Sequence, residues 1–107
     1  MRKLEATELA ALAAEFPQWQ VDTHIGTLSR NFVFGDFMQA FAFMTHVAIA
    51  SEKHNQHPEW SNVYNQVAIT WTTHDVRGLS TNDIDMARLC ELAFAGTVGR
   101  STSAAEA

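Results

Sequence analysis

The sequence predicts an α+β fold in which a four-stranded antiparallel sheet carries helices packed on one face. Two observations support this class. Two stretches of alternating apolar and polar residues each predict a β-hairpin, and helical patterns precede, separate and follow them. The element order is therefore α-β-β-α-β-β-α. A chain of 107 residues of this composition is expected to form a single domain over residues 1–100, with a flexible tail over residues 101–107.

The first helix and the first hairpin occupy the N-terminal third of the chain. Thr7 is the expected N-cap of a helix that ends near Ala14. Apolar and polar residues then alternate over residues 18–22 and 27–34, which predicts two strands. The short turn at residues 24–26 joins these strands as an antiparallel hairpin.

The central helix is predicted over residues 36–55, with Asp36 as its N-cap and Gln39 as the partner in a capping box. Its apolar residues fall on two faces: Phe37, Phe41, Met44 and Ala48 on one, and Phe43, Val47 and Ala50 on the other. A domain of this size offers one sheet for the helix to pack against. The second face therefore predicts a homo-oligomer that associates through this helix, unless another helix of the same chain covers it.

The second hairpin follows Pro58, which cannot continue a helix. A short strand is predicted over residues 60–64 and a longer one over residues 67–74, where branched and aromatic residues are frequent. If the alternation is unbroken, His74 lies on the polar face of the second strand. This placement makes His74 a candidate functional residue rather than a core residue.

The third helix is predicted to open at Ser80-x-x-Asp83, whose spacing is that of a capping box. Apolar residues then recur at helical spacing as far as Phe94. The sequence Gly96-Thr97-Val98-Gly99 is expected to end the helix, because glycine disfavours helical backbone.

Composition narrows the cellular context and the class of partner. The formal net charge of −5 does not favour nucleic acid as a direct partner. A single cysteine, Cys90, allows no internal disulfide and fits a reducing compartment. No apolar run approaches the roughly 18 residues of a membrane span, and the N-terminus lacks a signal-peptide pattern. We therefore expect a cytoplasmic protein without a membrane partner.

The histidines near the end of the central helix allow three interpretations. His54 and His57 have the spacing of a helical metal-ligand pair, although nothing in the sequence fixes a coordination geometry. A histidine near a helix C-terminus also has a structural role when the dipole favours its charge. The third interpretation is metal-free acid/base catalysis, in which His57 and His74 face one cleft and remove water from a substrate. Trp60 and Tyr64 would then supply a flat wall for a heteroaromatic ligand.

Three motifs around these histidines are long and specific. They are Glu52-Lys53-x-Asn55-x-His57-Pro58-Glu59-Trp60, then Asn62-Val63-Tyr64-Asn65, then Thr73-His74-x-x-x-Gly78-Leu79-Ser80 with Asp83. Together they closely resemble the pterin-4a-carbinolamine dehydratase family, and the match extends over residues 4–96. The resemblance implies the same α+β fold, so residues 1–100 are expected to form one domain of this family.

The resemblance also implies an activity and its partners. Family members dehydrate 4a-hydroxytetrahydropterin to quinonoid dihydropterin with no metal or other cofactor, so a pterin is the expected small-molecule partner. This reaction recycles the pterin of aromatic amino acid hydroxylases, chiefly phenylalanine hydroxylase. Members form dimers and tetramers, which implies a homodimer or homotetramer through helix 36–55. An animal member also binds a homeodomain transcription factor.

The family site has two adjacent histidines before the proline and a third in the Thr-His pair. Here Gln56, His57 and His74 occupy those positions, so the resemblance assigns catalysis to them. It assigns pterin binding to His57, Pro58, Glu59, Trp60, Glu52 and Tyr64. Gln56 can form hydrogen bonds but cannot exchange a proton near neutrality, which implies a reduced rate. The alternative is a weakly active or non-catalytic relative that acts as a protein-binding or assembly partner.

Overall fold

The structure, a computed structural model, describes the backbone of residues 1–106 and the side chains of residues 1–98. The predicted α+β class and the predicted element order are confirmed. The elements are α1 (Ala6–Glu15), β1 (Gln20–Asp22), β2 (Thr27–Val33), α2 (Phe37–His54), β3 (Glu59–Val63), β4 (Gln66–Trp71) and α3 (Thr81–Glu106), with a 3₁₀ turn at His74–Val76.

The four strands form one antiparallel sheet in the order β1-β2-β4-β3. In the central pair, Leu28 lies opposite Trp71 and both are fully buried, whereas Asn31 lies opposite Ala68 and both are exposed. Alternate residues therefore face the helices or the solvent, as the sequence pattern predicts. The largest fully buried side chains between sheet and helices are those of Trp71, Phe32, Phe43, Leu12, Leu28, Ile69 and Met86.

Both ends of α2 are defined by specific residues. Asp36 Oδ1 accepts the backbone N–H of Gln39 at 2.8 Å, and Gln39 Oε1 accepts the backbone N–H of Gly35 at 2.8 Å. Asn55 adopts left-handed backbone with φ of 51° and ends the helix three residues before Pro58. The chain therefore turns sharply into β3 at the point where the candidate functional residues begin.

The two apolar faces of α2 differ in their surroundings. Phe43 and Val47 are fully buried against the sheet and α3. On the opposite side, the described part of this chain leaves large apolar side chains exposed: those of Phe37, Met38, Phe41 and Ile49. The alternative in which another helix of the same chain covers this face is therefore wrong.

The turn between β1 and β2 packs against the loop that precedes α3. Gly26 has a φ of 74°, and a side-chain carbon at this position would lie 2.5 Å from Gly78 Cα. Glycine is thus required by both the backbone conformation and the close approach. The hydroxyl of Thr72 donates to the Gly26 carbonyl at 2.7 Å, which ties the turn to the end of β4.

Two predicted boundaries near the helices were wrong. Helix α1 begins at Ala6, with Glu5 rather than Thr7 as the N-cap, because the Glu8 carboxylate accepts the Glu5 backbone N–H at 3.0 Å. Helix α3 continues through residues 96–99 to Glu106, since a glycine costs a helix only about 1 kcal/mol. The flexible tail predicted for residues 101–107 lies outside the residues whose side chains are described, and it stays a prediction.

The predicted extent of the last strand was also wrong. Strand β4 ends at Trp71, and Thr73 pairs with Gly78 in an isolated antiparallel bridge. His74 therefore begins a 3₁₀ turn instead of lying on a strand face beside Thr70 and Thr72. The loop closes on itself because Arg77 adopts left-handed backbone, with φ of 54°.

Candidate active site

A buried carboxylate, that of Asp83, joins the elements around the candidate site. Asp83 lies in the first turn of α3 and is fully buried. Its Oδ2 accepts the backbone N–H of Ser80 at 2.9 Å and the hydroxyl of Thr73 at 2.7 Å, while its Oδ1 accepts Gln56 Nε2 at 2.7 Å. Burial raises the pKa of Asp83, although the hydrogen bonds from Thr73 and Ser80 act in the opposite direction.

Gln56 connects this network to the end of α2. It follows the left-handed Asn55, and its backbone N–H donates to the Ser51 carbonyl at 3.1 Å. This turn directs the side chain inward, so that Gln56 is only 7% exposed. Its Nε2 donates to the Thr72 carbonyl at 3.0 Å as well as to Asp83. Both amide protons of Gln56 are therefore used within the protein.

A hollow of about 340 Å³ lies beside this network. Its lining includes Gln56 and His57, which lie in the linker after α2, and His74, which begins the 3₁₀ turn. Thr72 and Asn82 also line the hollow. The three residues that the resemblance assigns to catalysis are thus gathered at one hollow.

His57 lies at the rim and is paired with a carboxylate. Its Nε2 is 2.7 Å from Glu52 Oε1, and the two side chains are 58% and 81% exposed. Glu52 belongs to the last turn of α2, so a rigid element carries the carboxylate. A carboxylate in this position orients the imidazole ring.

His74 also lines this hollow and has its own carboxylate neighbour. Its Nε2 is 3.5 Å from Glu59 Oε2, and its side chain is 85% exposed. His74 also lines a second hollow of about 430 Å³, together with Glu59, Thr72 and Arg77. The imidazole of His74 is therefore placed between two depressions on the same end of the sheet.

Four of the six residues expected to bind a ligand line neither hollow: Glu52, Pro58, Trp60 and Tyr64. Trp60 lies opposite Ile69 on the helix-covered face of the sheet and packs against the core. Tyr64 lies in the turn at the far end of β3, about 16 Å along the strand from Glu59. Pro58 is half-buried in the linker between His57 and β3.

Sequence reasoning missed the network that holds Gln56. The spacing Ser80-x-x-Asp83 predicts a helix cap, and the backbone N–H of Ser80 does bond to Asp83. The same carboxylate has a second oxygen, which reaches Gln56 across 27 positions of sequence. Asp83 belongs to the motif that resembles the family, and a helix cap alone would not require its presence in that motif. This was the available signal that Asp83 has a further role.

No three His, Cys, Asp or Glu side chains within the described part of the chain form a group that could hold a metal ion. Over the same described residues, none of the helices combines the length and apolar character needed to cross a membrane.

The protein has an α+β fold, and histidines line a hollow at the end of its long helix α2. The family model described as Pterin 4 alpha carbinolamine dehydratase matches residues 2–93. The chain therefore belongs to the pterin-4a-carbinolamine dehydratase family, and the predicted family membership is confirmed.

Relatives and solved structures agree with this assignment. A protein of Novosphingobium aromaticivorans, provisionally named a pterin-4-alpha-carbinolamine dehydratase, is 49% identical over 83% of this chain and 93% of its own length. A Synechococcus protein with the same provisional name is 51% identical over 79% of this chain and 89% of its own length.

A crystal structure described as a transcriptional coactivator/pterin dehydratase from Brucella melitensis is similar, with a TM-score of 0.80 and 36% identity. The alignment covers 85% of this chain and 97% of that one. A second structure is described as a pterin dehydratase-like protein that is a RuBisCO assembly factor in the alpha-carboxysome. It has a TM-score of 0.60 and 27% identity over 71% of this chain and 89% of that one.

Proposed function

We propose that this protein dehydrates 4a-hydroxytetrahydropterin to quinonoid dihydropterin. The observation that carries the proposal is that His57 and His74, from different elements, line one hollow with Gln56. In a carbinolamine the hydroxyl and the nitrogen share a carbon, so loss of water forms a carbon–nitrogen double bond. The hydroxyl must gain a proton as it leaves and the nitrogen must lose one, which are tasks that imidazoles perform near neutrality.

The roles follow from the side chains available. His74 is proposed to exchange protons with the substrate, since it is exposed and lines the hollow from the 3₁₀ turn. His57 is proposed to hold the pterin, with Glu52 orienting its ring. Gln56 cannot transfer a proton, so we expect a lower rate than an imidazole at this position would give.

We further propose the biological setting that the family resemblance implies. The product would be returned to aromatic amino acid hydroxylases, chiefly phenylalanine hydroxylase, and the protein would act in the cytoplasm. The exposed apolar side of α2, which carries Phe37, Met38 and Phe41, supports a homodimer or homotetramer formed through this helix.

A direct dehydration assay tests the activity. Purified protein is mixed with 4a-hydroxytetrahydropterin generated in the same vessel, and formation of the quinonoid product is followed by stopped-flow absorbance. We expect acceleration over buffer. A folded protein that gives no acceleration would contradict the proposal.

A matched pair of variants tests the roles. His74→Ala is expected to lower the rate by about 10²-fold or more, because it removes a proton-transfer group. His54→Ala is the control, since His54 also lines the hollow but has no proposed role in proton transfer. An equal loss in both variants would mean that the roles are wrongly assigned.

A second candidate function is protein binding without catalysis. Gln56 in place of a proton-transfer group favours it, and so does the similarity to a structure described as a RuBisCO assembly factor. The dehydration assay separates the two candidates, because a binding protein of this kind would leave the uncatalysed rate unchanged.

A further inference from the structure

The orientation of the Gln56 side-chain amide is determined by its surroundings. Nε2 carries two N–H groups, and these are directed to Asp83 Oδ1 at 2.7 Å and to the Thr72 carbonyl at 3.0 Å. Turning the amide by half a rotation would bring Oε1 against both of these oxygens. Even if Asp83 were protonated, the Thr72 carbonyl would remain an acceptor, so the nitrogen must face inward.

The amide oxygen of Gln56 is therefore the atom left for the hollow. No group among residues 1–98 donates a hydrogen bond to it. Oε1 is not fully buried either. Among residues 1–98, the one fully buried side-chain nitrogen or oxygen without a hydrogen-bond partner is Trp71 Nε1. Because Oε1 also lacks a partner, it must be accessible from outside the protein. Gln56 is 7% exposed, and the hollow that it shares with His57 and His74 accounts for the opening.

We propose that Gln56 Oε1 is a fixed hydrogen-bond acceptor that selects ligands with an O–H or N–H donor at this point of the hollow, and that Asp83 is the positioning residue that holds it. The identity of the donor rests on the proposed function. In a pterin carbinolamine the 4a-hydroxyl is such a donor. Gln56 would orient this hydroxyl without protonating it, so the proton for the departing water must come from an imidazole or from solvent.

This role differs from that of a histidine in its consequences for specificity. An imidazole that donates one N–H to Asp83 can donate its other N–H to a ligand when it is protonated, whereas the amide oxygen of Gln56 only accepts. A ligand with a carbonyl or a bare ring nitrogen at this point would place two acceptors together and leave both unpaired. Ligands of that kind are expected to bind about threefold to tenfold more weakly than those with a donor.

The orientation can be tested without any substrate. In ¹⁵N-labelled wild-type protein, the two Nε2 protons of Gln56 should exchange with solvent more slowly than those of exposed Gln66, since both are hydrogen-bonded inside. Asp83→Asn should accelerate this exchange, because it removes the anionic acceptor. Equal exchange rates for Gln56 and Gln66 in the wild type would overturn the proposed orientation.

The acceptor role is tested by binding. The variant Gln56→Met removes the acceptor at similar size, and 7,8-dihydropterin is a stable probe with several N–H donors. We expect its Kd to rise about threefold to tenfold while circular dichroism remains unchanged. If Gln56 were only structural, the variant would lose thermal stability without a change in Kd, and that result would overturn the proposal.

The same experiments separate this inference from the proposed function. A wild-type protein that binds 7,8-dihydropterin through Gln56 but does not accelerate dehydration would refute the activity and support the acceptor. If Gln56→Met does not fold, the Gln56 Nε2 resonances of the wild type are followed during titration with 7,8-dihydropterin. A shift at Gln56 supports contact with the ligand, and saturation without a shift there refutes it.

Discussion

The half-buried ion pair between Arg30 and Glu91 offers a stringent test of how the sheet is fixed to α3. The Arg30 side chain is only 14% exposed, and its guanidinium carbon lies 4.3 Å from the ring centroid of Phe32 and 5.0 Å from that of Phe94. Glu91 pairs with this guanidinium and also accepts the indole N–H of Trp19 at 2.7 Å. Glu91→Leu would leave a largely desolvated cation and an indole N–H without their acceptor.

The expected loss can be estimated from these contacts. Removing one partner of a fully buried pair costs about 3–5 kcal/mol. Glu91 is 37% exposed, so water replaces part of the interaction and we expect about 2–3 kcal/mol. The double variant Arg30→Met/Glu91→Leu should recover most of this loss, because it removes the unpaired charge as well.

Urea unfolding followed by circular dichroism measures the effect. With a slope of about 1–3 kcal/mol/M, Glu91→Leu should lower the midpoint by about 0.7–3 M at an unchanged slope. The control is Glu15→Leu, which breaks the exposed pair with Arg88 and should cost less than about 1 kcal/mol. Equal losses for Glu91→Leu and Glu15→Leu would refute the argument that desolvation of Arg30 sets the cost.

Four further outcomes are expected. Gln56→His should raise dehydration turnover, since it restores a proton-transfer group; no gain in a folded variant would mean that Gln56 does not limit the rate. Burial raises the pKa of Cys90 to about 12, so this thiol should react with Ellman's reagent at pH 8 only after unfolding. The Arg2 guanidinium lowers the pKa of Glu8 from 4.5 to about 2. Their pair should therefore stabilise the fold above pH 4.5 and lose that effect as the pH falls towards 2. In Glu8→Gln, the free energy of unfolding should depend less on pH over this range. If the wild type associates through α2 as proposed, Phe41→Glu should shift it towards monomer in sedimentation velocity. A wild type that is already monomeric at micromolar concentration would contradict association through α2.

Most of the fold could be predicted because local patterns carry it. The alternation over β2 and β4 reflects a sheet with one face covered by helices. Asp36 caps the start of α2, and Asn55 ends it in left-handed backbone. The exceptions were set by individual contacts rather than by periodicity, such as the hydrogen bond from the Glu5 backbone N–H to the Glu8 carboxylate at the start of α1. Thr73 leaves β4 because Gly78 pairs with it, and no periodicity within the strand reveals that partner.

The sequence predicted which residues form the candidate site better than it predicted where they lie in the fold. The resemblance brought His57 and His74 together, while the alternation in β4 placed His74 on the wrong element. Tyr64 takes left-handed backbone with φ of 49°, which is unusual for an aromatic residue, so the turn after β3 lies one position earlier than expected.

Asp83 explains how the chain accommodates glutamine in this position. A buried carboxylate needs a donor on each oxygen, and loss of the donor from Gln56 would leave Oδ1 unpaired. An imidazole N–H would meet the same need, so the amide preserves the hydrogen bond and gives up proton exchange alone. Any folded form of this chain must keep Asp83 satisfied, whereas a site that had merely decayed would not be required to keep two histidines beside carboxylates at one hollow. This is the arrangement expected from the proposed role of Gln56, in which one neutral acceptor replaces one titratable group.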